Sequence, residues 1–220
     1  LEDNKFIDLK HVEDGFPKHS LVESGTGRAE IILKGLALEN LSLILRNGDI
    51  IEELRNEVKA YNYDLTVIGG SEKGSMSHDL VQYIDSSIFV VNNFNVNQNY
   101  KILLAVDESP GTAKAIKYGV RVAQAFNIKV DIVTISVDEN FRPDSKLASS
   151  RAEKMMRRSG VDAEAFFRVG DPVETIVDIA GNDHIIIMGK STQSPIAKFF
   201  KGSKPLDVMR KCQCPVLVVK

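Results

Sequence analysis

Excess charge, cysteine and long apolar segments are all scarce in this sequence. The formal net charge is −2, which argues against a protein that binds nucleic acid or anionic membranes through bulk positive charge. No apolar run approaches the roughly 20 residues that a transmembrane helix needs, so we predict no membrane contact. The two cysteines, Cys212 and Cys214, are poorly spaced for a disulfide and lack a second Cys or His pair. We therefore predict a reduced, cytoplasmic protein without a structural metal.

Apolar residues make up 43% of the 220 residues, which is enough for one large core or two small ones. In the second half, short apolar and β-branched segments predict strands, and the amphipathic or capped segments between them predict helices. The predicted strands cover residues 101–106, 129–137, 163–169, 185–188 and 215–219. Strands that alternate with helices indicate a parallel, doubly wound α/β sheet.

Two helix starts can be located from their capping residues. Ser109 stands at the N-cap position, ahead of Pro110 at the first helical position. Asp171 precedes Pro172 and is followed by Glu174 at the third helical position, which is an Asp version of the capping box. Each of these helices is therefore predicted to follow shortly after a strand.

The first half of the chain repeats the second half from its second strand onward. The segment Arg46 to Asp49 matches Arg168 to Asp171, and residues 74–91 have the register of residues 202–219. Shared caps, Gly-Ser helix starts and equal terminal spacing together predict a duplication. The predicted boundaries are residues 1–97 for the first domain and 98–220 for the second, with residues 92–99 as an asparagine-rich linker.

The two copies differ where the fourth strand of the complete copy ends. In the second copy that strand ends at Gly189, and a long lysine-bearing loop leads to Gly202 and Ser203, where a helix begins. A strand, a glycine, a long loop and a Gly-Ser helix start indicate a site where backbone N–H groups and a helix N-terminus bind an anion. In the first copy Gly74 follows Gly69 almost at once, so we predict no such site there.

In their order and spacing, these residues resemble the universal stress protein family in its tandem-domain form. Nucleotide-binding members of that family carry Gly, two residues, Gly, nine residues, Gly, and then Ser or Thr. The corresponding residues here are Gly189, Thr192, Gly202 and Ser203. The family's Asp at the end of the first strand is matched by Asp107, and its usual ending is matched by residues 214–219.

The resemblance implies two flavodoxin-like domains in tandem, of the adenine nucleotide alpha hydrolase type, with strand order 3-2-1-4-5. It also implies that ATP or AMP, with or without Mg²⁺, binds in the second domain at the carboxyl ends of the strands, where open α/β sheets bind ligands. The candidate binding residues are Ala105, Val106, Asp107, Val137, Met188, Gly189, Lys190, Thr192, Gly202, Ser203 and Lys204. No Ser-His-Asp or Cys-His set is evident, so we predict structural roles for His78 and His184 and at most a weak ATPase.

Several of these residues also have an interpretation in which they are purely structural. Asp107 would meet the ribose or adenine, or it would form an Asx-type turn or a helix cap. Gly189 would simply end a strand, and Ser203 would be an N-cap. Thr192 departs from the family pattern and is unfavourable where φ must be positive, although its hydroxyl could contact phosphate. Four lysines near the loop would neutralise a triphosphate or be ordinary solvated side chains. They are Lys190, Lys198, Lys201 and Lys204.

The leading hypothesis is a cytoplasmic regulatory protein of the universal stress type that binds an adenine nucleotide in its second domain. The alternatives are an interaction or dimerisation module without a nucleotide, and a soluble regulatory domain of a larger protein such as a transporter. We expect the copies to form a pseudo-dimer through residues 88–91 and 216–219, and the resemblance also implies a homodimer. Because the first copy lacks a first strand, we expect a strand and helix of about 30 residues from upstream in the gene or from another chain.

Overall fold

A computed structural model defines the fold of this chain. It describes residues 5–7, 42–44, 49–69, 80–95, 97–190 and 204–220. The chain divides into two compact units, Leu1–Tyr61 and Asn62–Lys220. The predicted boundary between residues 97 and 98 concerns the repeated sequence rather than these compact units, and it stays a prediction.

The first unit contains a short parallel strand pair and one helix. Strand β1 (Lys5–Ile7) pairs with β2 (Ser42–Ile44), and helix α1 covers Ile50–Tyr61. Asp49 caps this helix, since its Oδ1 accepts a hydrogen bond from the backbone N–H of Glu52 at 2.9 Å. A side-chain oxygen at this position satisfies one of the N–H groups that an α-helix leaves without a partner in its first turn.

The second unit is built on a seven-stranded sheet. Its strands are β3 (Leu65–Gly69), β4 (Ser87–Val91), β5 (Lys101–Ala105), β6 (Val130–Ser136), β7 (Ala163–Val169), β8 (His184–Gly189) and β9 (Val216–Val219). Its helices are α2 (Pro110–Phe126), α3 (Pro143–Arg158), α4 (Pro172–Ala180) and α5 (Lys204–Lys211). The strands lie in the order β3-β4-β9-β8-β5-β6-β7, and every neighbouring pair is parallel except β4 and β9.

The alternation of strands and helices predicted for the second half is confirmed. Helix α4 starts as expected, because Asp171 Oδ1 accepts hydrogen bonds from the N–H groups of Val173 at 2.9 Å and Glu174 at 3.0 Å. Helix α2 ends at Phe126, and its C-cap residue Asn127 is of a type that tolerates the left-handed conformation it adopts there, with φ of 52°. The result is a parallel-dominated α/β sheet of flavodoxin type, and its origin as one of two tandem copies stays a prediction.

One hydrophobic core of this unit lies between the centre of the sheet and helices α2 and α3. Apolar side chains from β5, β6 and β8 meet the buried faces of these helices. The buried residues include Ile102, Leu104, Ile132, Ile187, Ala115, Ile116, Ala152 and Met156. Because both faces of a central parallel strand are covered, its sequence is continuously apolar, as in β8.

The pairing predicted between residues 88–91 and 216–219 is observed within the second unit. Strands β4 and β9 run antiparallel, with Ile88 opposite Val218 and Val90 opposite Val216. This pair joins strands from the two halves of the sequence into one sheet, and neither strand is left as an open edge.

Candidate functional site

The carboxyl ends of β5 and β8 lie side by side in the middle of the sheet. Ala105 is in register with Met188, and Gly189 follows as the last residue of β8. Beyond the strands, the N–H of Val106 donates to the carbonyl of Val133, and the N–H of Lys190 donates to the carbonyl of Val219. The loops after β5 and β8 therefore start side by side at the carboxyl end of the sheet, which is where ligands bind in open α/β sheets.

Asp107 forms a tight turn at the start of helix α2. Its Oδ1 accepts a hydrogen bond from the N–H of Ser109 at 3.0 Å and another from the hydroxyl of Thr112 at 2.5 Å. The Thr112 hydroxyl oxygen in turn accepts the N–H of Asp107 at 3.2 Å. The turn-forming interpretation of Asp107 is thus observed, and the predicted contact with a ribose or adenine stays a prediction.

Ser109 is the N-cap residue of α2, as predicted, but its side chain does not cap the helix. The carbonyl of Ser109 accepts the N–H of Thr112 at 3.1 Å, and the N–H of Ser109 is bound by Asp107. The polar side chain that organises this helix start is therefore two residues earlier than the sequence indicated.

The first turn of α2 is packed directly against the backbone that ends β8. A Cβ atom on Gly189 would lie 2.4 Å from the carbonyl carbon of Gly111 and 2.8 Å from the backbone nitrogen of Thr112. A Cβ atom on Gly111 would lie 2.6 Å from the carbonyl oxygen of Lys190. Both glycines are therefore needed for the close approach of these two backbone segments.

Glu108 links the turn after β5 to the start of helix α3. One carboxylate oxygen accepts a hydrogen bond from the Arg142 guanidinium at 2.8 Å, and the other accepts one from the Ser145 hydroxyl at 2.7 Å. The Ser145 hydrogen bond, together with the nearby Arg142 charge, holds the pKa of Glu108 below its usual value. This contact fixes the position of the connection between β6 and α3 at the same edge of the sheet.

The remaining candidate residues differ in how accessible they are. Val137 directly follows β6 with 75% of its surface exposed, and Lys204 is exposed at the first position of α5. Val106 and Met188 are buried, so they can offer a ligand mainly backbone atoms. The other predicted residues of the loop lie outside the described part of the chain. They are Thr192, Lys198, Lys201, Gly202 and Ser203.

His184 lies at the opposite, amino edge of the sheet and has structural partners. Its side chain is buried, and Nδ1 is 3.0 Å from the carbonyl of Ala180 and 2.8 Å from Asp183 Oδ1. Nε2 is 3.4 Å from Asp131 Oδ2. These contacts join α4, β8 and β6, in agreement with the structural role predicted for this residue.

Cys212 and Cys214 are both free thiols and both buried. The Cys212 thiol donates to the carbonyl of Cys214 at 3.4 Å. A hydrogen bond between the two thiols lowers the pKa of Cys212, and the same bond, with burial, raises the pKa of Cys214. Within the described residues, no three His, Cys, Asp or Glu side chains come together to hold a metal ion. No helix in that part of the chain is long and apolar enough to cross a membrane.

Sequence reasoning missed the contributions of Gly111, Thr112 and Glu108. A glycine in the first turn of a helix disfavours the helix, and this was the available signal for a close backbone approach at Gly111. Nothing local identifies Thr112 or Glu108, because their partners are defined by the turn and by a helix more than thirty residues further along the chain.

Comparison with known proteins identifies the family to which this site belongs. A model of the universal stress protein family matches residues 99–220. A universal stress protein from Methanocaldococcus jannaschii is 26% identical in an alignment 138 positions long, which covers 54% of this chain and 81% of the relative.

Two solved structures share the fold over almost the whole chain. A universal stress protein from Archaeoglobus fulgidus is similar with a TM-score of 0.69 and 18% identity, over 99% of this chain and 86% of that one. A protein of unknown function from Pseudomonas aeruginosa gives a TM-score of 0.68 and 15% identity, over 98% and 81%. Because the family model covers more than half of its length, this chain belongs to the universal stress protein family.

Proposed function

We propose that this protein is a regulatory protein of the universal stress type that binds an adenine nucleotide, ATP or AMP, within residues 98–220. The observation that carries the proposal is the meeting of Asp107, the first turn of α2 and the backbone of Gly189 and Lys190 at one edge of the sheet. The family motif continues from Gly189 through Thr192 to Gly202 and Ser203.

The chemistry of this edge suits a nucleotide with phosphate groups. The first turn of a helix carries N–H groups without intrahelical partners and a partial positive charge, which favour an anion. Lys204 adds a full positive charge at the first position of α5. The Asp107 carboxylate is exposed, and one of its oxygens can accept a sugar hydroxyl or an adenine amino group while the other holds the turn.

A ligand that contacted both Asp107 and the segment after Gly189 would join the loops that follow β5 and β8. These loops also lie next to the Glu108 contact with α3, so the ligand would bias the surface formed by three connections at this edge. Regulation would then follow from a difference in ligand affinity between two arrangements of that surface.

Isothermal titration with ATP and with AMP, each with and without Mg²⁺, tests the proposal. We expect one site per chain, and a micromolar dissociation constant would correspond to about 8 kcal/mol of binding free energy. At a hundredfold excess of ligand the fold should gain about 2.7 kcal/mol of stability, which a thermal melt can measure. A stoichiometry of two, or an unchanged melting temperature in millimolar ATP, would contradict it.

Two substitutions at Asp107 separate its turn-forming role from a ligand contact. Asp107→Asn keeps an oxygen that can accept from Ser109 and Thr112 but removes the charge, so it should preserve the fold and change nucleotide affinity. Asp107→Ala removes both the accepting oxygen and the charge, so it should also reduce stability, by about 1 kcal/mol. Asp183→Asn, at the amino edge of the sheet, is the matched control and should leave the nucleotide affinity unchanged.

A second candidate function is an interaction module that binds no nucleotide. It is favoured by the structural roles already filled by Gly189, which admits helix α2, and by Asp107, which forms the turn. On this hypothesis the titrations show no heat, and Asp107→Asn changes neither stability nor any ligand response.

A further inference from the structure

Cys212 and Cys214 lie close together in the short connection between helix α5 and strand β9. The N–H of Cys212 donates to the carbonyl of Val208 at 2.9 Å, which ties this residue to the last turn of the helix. The chain then bends at Gln213, and β9 begins two residues after Cys214. The two cysteines therefore lie at the amino end of β9, at the opposite edge of the sheet from the candidate nucleotide site.

The side chains of the two cysteines are in contact. The sulfur of Cys212 is 3.4 Å from the carbonyl oxygen of Cys214, to which its thiol donates, and the two thiols hydrogen bond to each other. Neither thiol is part of a disulfide. The bend therefore holds in contact two sulfur atoms whose spacing in sequence does not by itself favour a disulfide.

The two cysteines differ in exposure and in acidity. Cys212 is 6% exposed and Cys214 is 1% exposed. The hydrogen bond from the Cys214 thiol, with backbone hydrogen bonds and the Asn92 side chain, lowers the pKa of Cys212 in spite of its burial. The bond to Cys212, burial and the nearby Asp183 charge raise the pKa of Cys214. Because the thiolate is the form that attacks an oxidant, Cys212 is the attacking sulfur and Cys214 keeps its proton.

We propose that Cys212 and Cys214 form a reversible oxidation site that reacts with hydrogen peroxide. The Cys212 thiolate attacks one peroxide oxygen, the O–O bond breaks, and the departing hydroxide takes up a proton to become water. Cys212 is then a sulfenic acid. The Cys214 sulfur attacks it, a sulfur–sulfur bond forms, and the hydroxyl group leaves with the Cys214 proton as a second water. The two sulfurs lose two electrons, and these reduce one peroxide to two waters.

The spacing of the two cysteines suits a reversible bond rather than a structural one. A disulfide between residues two apart departs from relaxed geometry, and strain makes such a bond easier to reduce. In a reducing compartment disulfides are usually transient, so a dithiol would return this pair to free thiols. The site does not depend on nucleotide binding, and it can be tested in the protein without ligand.

Mass spectrometry of the full chain tests the proposal directly. Trypsin cleaves after Lys211, so the two cysteines of the chain lie in one peptide, residues 212–220. After peroxide treatment and alkylation of the remaining thiols, this peptide should carry no alkyl group and be lighter than the reduced peptide by two hydrogen atoms. Dithiothreitol should restore full alkylation. A peptide that stays fully alkylated after peroxide, or that is oxidised beyond recovery by dithiothreitol, would overturn the proposal.

Substitution of each cysteine separates the attacking sulfur from the resolving one. Cys214→Ser keeps a hydroxyl that can donate to Cys212, so oxidation should stop at the Cys212 sulfenic acid, which a cyclic 1,3-diketone probe labels. Cys212→Ser, the matched control at the same bend, leaves the buried and protonated thiol and should show neither a disulfide nor the label. A thermal melt checks that both variants fold. Equal labelling of the two variants, or labelling of neither, would overturn the proposal.

Unfolding in urea gives a test that needs no variant. The lowered pKa of Cys212 depends on its folded surroundings, so peroxide should form the disulfide faster in the folded chain than in the unfolded one. Burial has the opposite effect on a bulky aromatic disulfide reagent, which should react faster with the unfolded chain. If peroxide oxidises the unfolded chain as fast as the folded one, the fold does not activate Cys212 and the proposal is wrong.

Discussion

Strands β8 and β3 have similar sequences, the same partner arrangement and very different surroundings. Both are short apolar segments that end in glycine and pair in parallel with a strand of the β4–β9 contact. β8 is enclosed by β5 and α2, whereas β3 is the outermost strand of the sheet among the residues that the structure describes. The difference shows that the burial of a strand is conferred by its neighbours, and that a similar sequence can be a core element or an open edge.

The largest effect is expected from truncating one apolar side chain in each strand. Ile187→Ala removes buried methyl groups from the centre of the core and should cost about 2–5 kcal/mol of unfolding free energy. Val67→Ala removes an exposed side chain and should change stability by less than about 0.5 kcal/mol. Urea denaturation of both variants measures their unfolding free energies. Equal losses in the two variants would contradict the difference in burial between β8 and β3.

The glycines that end the two strands provide the next largest contrast. Gly189→Ala places a methyl group against the backbone of Gly111 and Thr112, and this overpacking should cost about 1–3 kcal/mol. A Cβ atom on Gly69 has no heavy atom within 4 Å, so Gly69→Ala should be close to neutral. If denaturation midpoints show that Gly69→Ala is the more harmful change, the edge of β3 is more crowded than its exposure indicates.

A smaller effect is expected at the helix caps, which are alike in the two halves. Asp171→Ala and Asp49→Ala should each cost about 1 kcal/mol, because each removes an acceptor for a first-turn N–H group. Exchange of the Glu174 and Glu52 amides should become faster in the respective variant. Asp178→Ala, an exposed position inside α4, is the control and should leave the exchange of Glu174 unchanged.

The smallest effect concerns the contact of Glu108, which lies in the turn after strand β5. The hydrogen bond from Ser145, and then the charge of Arg142, lower the pKa of Glu108 in the folded state. A carboxyl group with a lowered pKa in the folded state stabilises the fold at neutral pH. This contribution is lost as the pH falls below the usual pKa of about 4.3 and through the lower pKa of the folded state.

Glu108→Gln should therefore reduce stability at pH 7 by less than about 1 kcal/mol, since the contact is screened by solvent, and should make no difference at pH 2. Urea denaturation of the unchanged protein and of Glu108→Gln at several pH values measures this difference in stability. Ser145→Ala should reproduce part of the same pH dependence, and an unchanged pH profile in both variants would mean that the contact is too weak to matter.

Local sequence features predicted most of the second unit because they reflect local chemistry. The β-branched run of β8, the Asp171 cap and the Pro at the start of α2 each specify a conformation within a few residues. The pairing of β4 with β9 also followed from sequence, since two short apolar strands with unpaired edges tend to pair.

What the sequence could not provide depends on contacts between distant segments. Leu65 and Val67 have the composition of buried residues, but only the three-dimensional neighbours decide whether they are covered. Gly189 matches a ligand-binding motif, yet its immediate neighbour is the helix backbone at Gly111. The hydrogen bond between Ser145 and Glu108 joins residues that are far apart in sequence, and no local pattern predicts it.

The antiparallel contact between β4 and β9 has a consequence for how the chain folds. Ile88 and Val218 face each other although nearly all of the second half of the sequence lies between them, whereas β3 and β4 are close neighbours in the chain. Closing a long loop costs more entropy than closing a short one, and such contacts slow folding. During synthesis, β4 therefore cannot pair with β9 until the rest of the chain has been made. Chaperones can bind β4 during that interval.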